Sequence, residues 1–245
     1  MLLYWEQVLL VGKQKIENNK KQYCFERHYF LKGVMPLFYI KKKEMENVNY
    51  SDLFGIIPNK KPADKNRILV ANPLLDDVWF SRSVVYLAAF NGENDIMGFV
   101  QNKPFPFTLN SVSETFKNYP PIPVYCGGPV EPDRLFFLHT LGNTIIDSQY
   151  IGNGISIGGD LISLLAYLSA GNKIDGYVKF FLGYSGWSAS QLKMEIKTQS
   201  WGVIEPKMDD ILYSREDETL WKKYVKELGE GYSSWLKVPP LPIFN

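Results

Sequence analysis

The chain has 245 residues, a formal net charge of +1 and 45% hydrophobic residues, which is enough apolar material for one large globular domain or two small ones. Its two cysteines, Cys24 and Cys126, cannot build a disulfide framework. With two histidines in the whole chain, we expect neither a zinc site nor another cofactor. No apolar run reaches membrane-spanning length, and two isolated thiols suit a reducing compartment. We therefore expect a cytoplasmic protein that does not contact a membrane.

The first 44 residues differ from the rest of the chain in charge. They carry a net charge of +5, and the remainder carries −4. We expect residues 1–48 to be a basic extension, either unstructured or lying upstream of the natural start, and residues 49–245 to form one domain. A basic arm for nucleic acid is the alternative interpretation of the extension. The acidic balance of the body offers little attraction to a phosphate backbone, so direct DNA binding is not expected.

Short β-rich runs begin at Arg67. The runs "RILVANP", "SVVYLAAF" and "DIMGFVQNKP" predict three strands, and Asn91-Gly92 between the last two is typical of a hairpin turn. "LNSVSETF" predicts a short helix, because Ser111 and Glu114 have the spacing of a capping box. "PVYC", "RLFFLHT" and "NTIIDSQYIGNGISI" predict further strands separated by glycine turns.

Helices and strands alternate irregularly in the second half. "DLISLLAYLSAG" predicts a helix that Asp160 caps and Gly171 ends. "GYVKFFLGYSGW" predicts a strand followed by the helix "SASQLKMEIKTQ", where Ser188 and Gln191 are spaced as a capping box. "SWGVIEP" predicts a strand, and "REDETLWKKYVKELG" a helix stopped by Gly229. The tail "EGYSSWLKVPPLPIFN" has too many prolines for a helix and is expected to be extended. The pattern favours a mixed sheet with helices packed around it.

Enzyme signatures fail when their context is considered. "GISIG" matches the G-x-S-x-G pattern, but the residues after Ser156 are still strand-like and no histidine follows in the sequence, as a nucleophile elbow requires. His139 lies in a run of bulky apolar residues and is expected to be a hydrogen-bonded core histidine. No phosphate-binding glycine loop occurs. The sequence therefore predicts no catalytic residue.

The stretch "VYCGGPVEPDRLFFLHT" allows two interpretations. In the first, a structural ion pair clamps the loops, formed by Arg82 or Arg134 with one of three acidic residues: Asp76, Asp77 and Asp133. In the second, arginine and the backbone N–H groups of Gly127 and Gly128 bind an anion.

Five segments together resemble the YqgE/AlgH family. In chain order they are "ILVANPLLDDVWFSRSVVYLAAF", "MGFVQNKP", "YCGGPVEPDRLFFLHT", "LGYSGWSASQLKMEIKTQSWGV" and "LWKKYVKELG", and they cover roughly residues 66–229. The family consists of bacterial, cytosolic proteins whose molecular function is unproven, and some members are labelled transcriptional regulators. The resemblance implies an α+β fold in which a bifurcated mixed β-sheet with a small barrel-like part is surrounded by helices.

The motifs contain nine residues that are candidates for binding a ligand: Asn72, Arg82, Asn102, Lys103, Gly127, Gly128, Arg134, Tyr184 and Ser185. Two functions are open at this point. The favoured one is a non-catalytic regulatory or adaptor protein with an unknown protein partner, because no nucleophile and base are paired. The alternative is a protein or enzyme that binds a small molecule or anion between the loops Asn72-Pro73, Asn102-Lys103-Pro104 and Gly127-Gly128-Pro129, with Arg82 beside them.

Overall fold

The structure is a computed structural model that describes residues 61–75, 77–91, 95–213 and 217–239. The predicted extension of residues 1–48, the turn after Asn91 and the end of the tail lie outside the described residues. The described residues fall into two compact units, residues 107–122 and the remainder, and each is considered by itself.

The β-rich runs form strands where the sequence predicts them, except that the run predicted from Asn143 begins with a 3₁₀ turn and becomes a strand only at Gln149. The strands in the described part of the chain are β1 Ile68–Ala71, β2 Val84–Asn91, β3 Asp95–Val100, β4 Pro104–Thr108, β5 Pro123–Cys126, β6 Val130–His139, β7 Gln149–Gly152, β8 Ile155–Ile157, β9 Val178–Trp187 and β10 Trp201–Ile204. β4 was not expected, because prolines rarely occur inside strands. The main path of the sheet runs β10-β1-β2-β3-β9-β6-β8-β7.

The sheet divides at β9. One edge of β9 pairs with β6 in the antiparallel sense. Its other edge pairs first with β5, in parallel at Phe180–Leu182, and then with β3, antiparallel at Ser185–Trp187. The α+β class, with a bifurcated mixed sheet that curls into a barrel-like part, is therefore confirmed.

Both faces of the first strands are buried. Ile68 and Val70 of β1 point into one apolar core, which we call the first core. Leu69 and Ala71 point into another, the second core. This alternation follows from the two-residue period of a strand. It explains why β1 is a continuous apolar run and not a pattern of alternating polar and apolar residues.

Helices contribute residues to both cores. The helices in the described residues are α1 Leu109–Val112, α2 Leu161–Ser169, α3 Ala189–Lys197, α4 Asp209–Leu212 and α5 Asp217–Leu228. Asp160 caps α2 as predicted, since its carboxylate accepts a bond from the Ser163 N–H at 2.8 Å. Trp221 and Tyr224 of α5 are buried in the first core. Gly229 ends α5 with φ +107°, as its lack of a side chain permits.

The expectation of an extended tail is wrong for its first half. Residues Glu230–Lys237 form a 3₁₀ helix. Tyr232 and Trp235 are buried in the first core, with ring centroids 4.9 Å apart. The prolines follow this helix, so they do not prevent it. Burial of these two aromatic residues in the first core explains the helix, and the proline content of the tail concealed it in the sequence.

The unit of residues 107–122 is held by one asparagine. The Asn110 amide donates to the carbonyls of Phe116, Tyr119 and Pro120, and its oxygen accepts from the Ile122 N–H. The predicted capping box is absent, because the Ser111 hydroxyl donates to the Thr108 carbonyl. A long-range turn around Asn110 takes the place of the local cap.

Candidate functional site

The connection between β1 and β2 gathers four of the nine candidate residues. We call residues 72–83 the β1–β2 loop; residue 76 is not described. The buried Asn72 fixes its first turn, because its amide donates to the Gln199 carbonyl at 3.0 Å and its oxygen accepts from the Leu74 N–H at 2.9 Å. Asp77 fixes the next turn by accepting from the N–H groups of Trp79 and Phe80. Hydrogen bonds from side chains to backbone groups thus fix the loop in place of the regular backbone ladder of a strand pair.

Arg82 and Asn102 fix the end of the loop. Arg82 is 8% exposed, donates to the Val238 carbonyl at 2.5 Å and lies 4.7 Å above the Trp221 ring. The fully buried Asn102 accepts from the Val84 N–H at 2.8 Å and donates to the Arg82 carbonyl at 2.9 Å. The amide therefore pairs with backbone as a neighbouring strand would. Among the described residues Arg82 thus meets a carbonyl and an aromatic ring. Asp76, one of the predicted ion-pair partners, lies outside the described residues.

The middle of the loop has apolar side chains that face the core and others that face solvent. Leu75 and Phe80 pack against the second core. Leu74 and Val78 are 39% and 40% exposed. The Lys103 ammonium donates to the Val78 carbonyl at 3.2 Å, so a fourth candidate residue contacts the same loop. The result is an anchored loop that presents apolar side chains outward.

A second group of candidates meets where β5 and β6 approach β9. The Gly127 N–H donates to the Leu182 carbonyl, and the Gly127 carbonyl accepts from the Ser185 hydroxyl. A Cβ atom at Gly128, whose φ is +151°, would lie 2.4 Å from the Ser185 hydroxyl oxygen. Because the Gly127 N–H is engaged in the sheet, the two glycines do not form the predicted anion-binding pair. They permit a close backbone approach.

Arg134 lies in an irregular, exposed part of β6. The pairing of β6 with β9 shifts between Val130 and Leu135, so the residues between them bulge out of the ladder and are exposed. Arg134 is 61% exposed and pairs with Glu131 at 2.8 Å, while its guanidinium lies 5.0 Å above the Phe136 ring. An ion pair exists, as the structural interpretation predicted, but its partner is neither Asp133 nor an acid of the β1–β2 loop. Tyr184 is half-buried and packs edge-on against Phe136.

His139 is a core residue, as predicted. The ring is buried, with Nε2 3.0 Å from the Gly158 carbonyl and Nδ1 accepting from the Leu141 N–H at 3.2 Å. Burial lowers the pKa of His139 below its ordinary value of 6.5. Ser156, the serine of "GISIG", is buried in β8 directly across from His139. It therefore occupies a strand and not the strand-to-helix turn that a nucleophile elbow requires.

A carboxylate clamp that the sequence analysis missed supports the β1–β2 loop. One oxygen of Glu195 accepts from the indole N–H groups of Trp187, at 2.9 Å, and Trp201, at 2.8 Å. The two indoles and Phe80 pack together with centroid distances of 5.4 to 6.0 Å. Ser188 caps α3 as predicted, but the Gln191 side chain donates to Glu195 and does not complete the capping box.

Lys179 is a second residue that sequence reasoning missed. It is buried in β9, donates to the carbonyls of Gln101 and Tyr213 at 3.0 and 3.2 Å, and lies 4.2 Å from the centroid of the Tyr125 ring. The available signal was a single charge inside the apolar run "YVKFFLG". Carbonyl oxygens and an aromatic face are the partners that a desolvated ammonium needs, so Lys179 links β9 to the segments around it.

The described ranges contain neither a metal cluster nor a membrane-spanning helix. No group of three or more His, Cys, Asp or Glu side chains there could hold a metal ion. None of the helices described combines the length and the apolar character that crossing a bilayer takes.

The fold defines an α+β protein with a bifurcated sheet. Its motif residues mainly bond to backbone groups, both at the anchored β1–β2 loop and where Gly127 and Gly128 approach β9. The chain belongs to the AlgH-like family, DUF179, whose family model matches residues 68–233. The resemblance to YqgE/AlgH proteins is therefore confirmed.

Relatives of similar length support this assignment. The chain is 44% identical over 198 residues to a UPF0301 protein of Parabacteroides distasonis, covering 80% of this chain and 99% of the relative. It is 39% identical over 199 residues to a UPF0301 protein of Bacteroides fragilis, covering 81% of this chain and all of the relative.

Two solved structures share the fold. The solution structure of AlgH from Pseudomonas aeruginosa has a TM-score of 0.56 and 28% identity, covering 76% of this chain and all of that one. A crystal structure of a protein from Corynebacterium diphtheriae has a TM-score of 0.58 and 19% identity, covering 75% and 96%. The second comparison shows the fold alone.

Proposed function

We propose that this chain is a non-catalytic regulatory or adaptor protein that binds another protein through the β1–β2 loop. The observation that carries the proposal is that the polar motif residues bond to backbone, while neighbouring apolar residues of the loop are exposed. Asn72, Asn102 and Lys103 bond to backbone of this loop, and Arg82 ties the end of the loop to the Val238 carbonyl. The loop itself exposes Leu74 and Val78. The polar motif residues therefore fix the loop in a conformation that exposes its apolar side chains.

The anchoring favours a protein partner. A loop that is already ordered loses little conformational entropy when it binds, so a small apolar contact gains affinity. Leu74 and Val78 expose apolar surface beside the half-buried Trp79, and aromatic and aliphatic anchors of this kind dominate protein interfaces. The Lys103 ammonium, bonded to the Val78 carbonyl, adds a positive charge to the rim.

The alternatives have weaker support. A small-molecule or anion site would draw on polar groups that here bond to backbone, such as the buried amides of Asn72 and Asn102. Binding to DNA is disfavoured by the net charge of −4 from residue 45 onward. We therefore infer that any regulatory role operates through a protein contact, in the cytoplasm that the two isolated thiols suit.

The experiment compares proteins retained by three forms of the tagged chain expressed in its native host. The Leu74→Ser/Val78→Ser variant removes the two exposed apolar side chains of the loop. Tyr150→Ser is the control, because it removes a more exposed aromatic residue on β7, at the other end of the sheet order. We expect a specific protein to be retained by the parent and by Tyr150→Ser and to be lost with the loop variant. Equal retention by all three forms would contradict the proposal.

A further inference from the structure

Helix α2 has an outer face without a charged residue. Ile162 is 71% exposed, and Ala166, one turn further on, is exposed as well. Ile146 extends this surface at the start of the helix: it is 60% exposed, and its carbonyl accepts from the Asp160 N–H at 2.7 Å. Leu164 and Leu168 already supply the buried side of the helix, so the outer apolar residues are not needed for its packing. Apolar surface that continues over neighbouring residues marks an interaction site more often than isolated exposed residues do.

This face changes in side-chain size along the helix. Its first end carries the large residues Ile146 and Ile162, and its second end carries the small exposed residues Ala166, Ser169 and Ala170. In an antiparallel pair of identical helices, the large end of each helix lies over the small end of the other. A face of this kind is complementary to itself, which is the requirement of an interface with twofold symmetry.

The charges at the two ends of α2 are also complementary to themselves in an antiparallel pair. Asp160 lies at the beginning of α2, where two bonds from Ser163 lower the pKa of its carboxyl and keep it ionised. Lys173 is exposed just beyond the end of the helix. With a twofold axis at Ala166, each Asp160 faces the region of Lys173 in the second copy. Antiparallel helices also place opposite ends of their dipoles together.

We infer that α2 forms the interface of a homodimer in which two copies pair antiparallel about Ala166. This interface consists of other residues than the β1–β2 loop and does not depend on the role proposed for that loop. A nine-residue helix is only about 13 Å long, so the interface lies toward the small end of stable assemblies, near or below about 1,200 Å². The dimer is therefore expected to be reversible and to dissociate on dilution in the micromolar range.

Sedimentation velocity from low-micromolar to near-millimolar protein tests the inference on the full chain. We expect the parent to shift from monomer to dimer, and Ile162→Lys to weaken the dimer at least about tenfold, because it buries an unpaired charge. Met194→Lys is the matched control, since Met194 is 58% exposed on a different helix, and it is expected to dimerise like the parent.

A second variant protects the test against a local folding defect. Ala166→Arg places a bulky charge at the proposed axis, and its thermal transition is measured beside that of Ile162→Lys. Loss of the dimer in both variants with unchanged transitions supports the interface. A parent that stays monomeric over the whole range, or variants that dimerise as the parent does, would overturn it.

Discussion

Gly127 and Gly183 are so close that a Cβ atom at Gly127 would lie 2.1 Å from the Gly183 carbonyl oxygen. The contact joins the "CGGP" corner to β9, in which the Gly127 N–H also finds its acceptor, the Leu182 carbonyl. The corner is thus defined by the proximity of two backbones, which any side chain would disturb.

Gly127→Ala is therefore expected to lower the free energy of unfolding by about 3 kcal/mol, since backbone must shift to make room. The matched control is Gly186→Ala, because a Cβ atom there meets only ordinary contacts at 3.4 and 3.5 Å. Urea unfolding followed by circular dichroism measures both. Equal stability of the two variants would show that the corner yields without cost.

The Glu195 clamp is expected to contribute to stability through its two indole partners. Glu195→Leu leaves the N–H groups of the buried Trp187 and Trp201 without their acceptor, and we expect a loss of about 2–4 kcal/mol. Gln191→Ala removes only an exposed bond to the same carboxylate and is expected to change stability by less than about 0.5 kcal/mol. Chemical unfolding monitored by tryptophan fluorescence distinguishes the two. A Glu195→Leu protein as stable as the parent would contradict the clamp.

The two arginines of the motifs are expected to respond differently to the same substitution. Arg82→Lys loses the planar contact with Trp221 and the fixed bond to Val238, which should cost about 1–3 kcal/mol. Arg134→Lys alters an exposed pair and should cost no more than about 1 kcal/mol. Calorimetric melting of both proteins checks the order. A larger loss at Arg134 would mean that the β6 bulge contributes more to the fold than its exposure indicates.

His139 predicts a pH dependence of definite sign. Its pKa in the folded protein is below 6.5, so on acidification the unfolded chain binds the proton first. The contribution of His139 to the free energy of unfolding is therefore fully present above pH 6.5. It is lost as the pH falls from there through the lower pKa of the folded protein. His139→Gln should remove this part of the dependence. Unfolding free energies measured between neutral and mildly acidic pH test this; parallel curves for parent and variant would contradict it.

Local patterns predicted most of the elements, and distant contacts explain what they missed. The Asp160 cap of α2 and the apolar run of β1 are decided by neighbouring residues, so both were predicted correctly. The 3₁₀ helix that contains Trp235 depends on burial in a core formed by distant strands, which the prolines that follow the helix concealed. Asn72 and Asn102 were identified as candidates, but their partners are carbonyl and N–H groups, which have no sequence signature.

The proposal that the β1–β2 loop contacts a partner is tested most directly by site-specific photo-crosslinking in the native host. A photoreactive amino acid replaces Val78 in one protein and Tyr150, on β7, in another. We expect a discrete crosslinked protein at position 78 that position 150 does not give. We also expect Leu74→Ser in the same chain to weaken that product. No product at position 78, or the same product at both positions, would contradict a docking role for the loop.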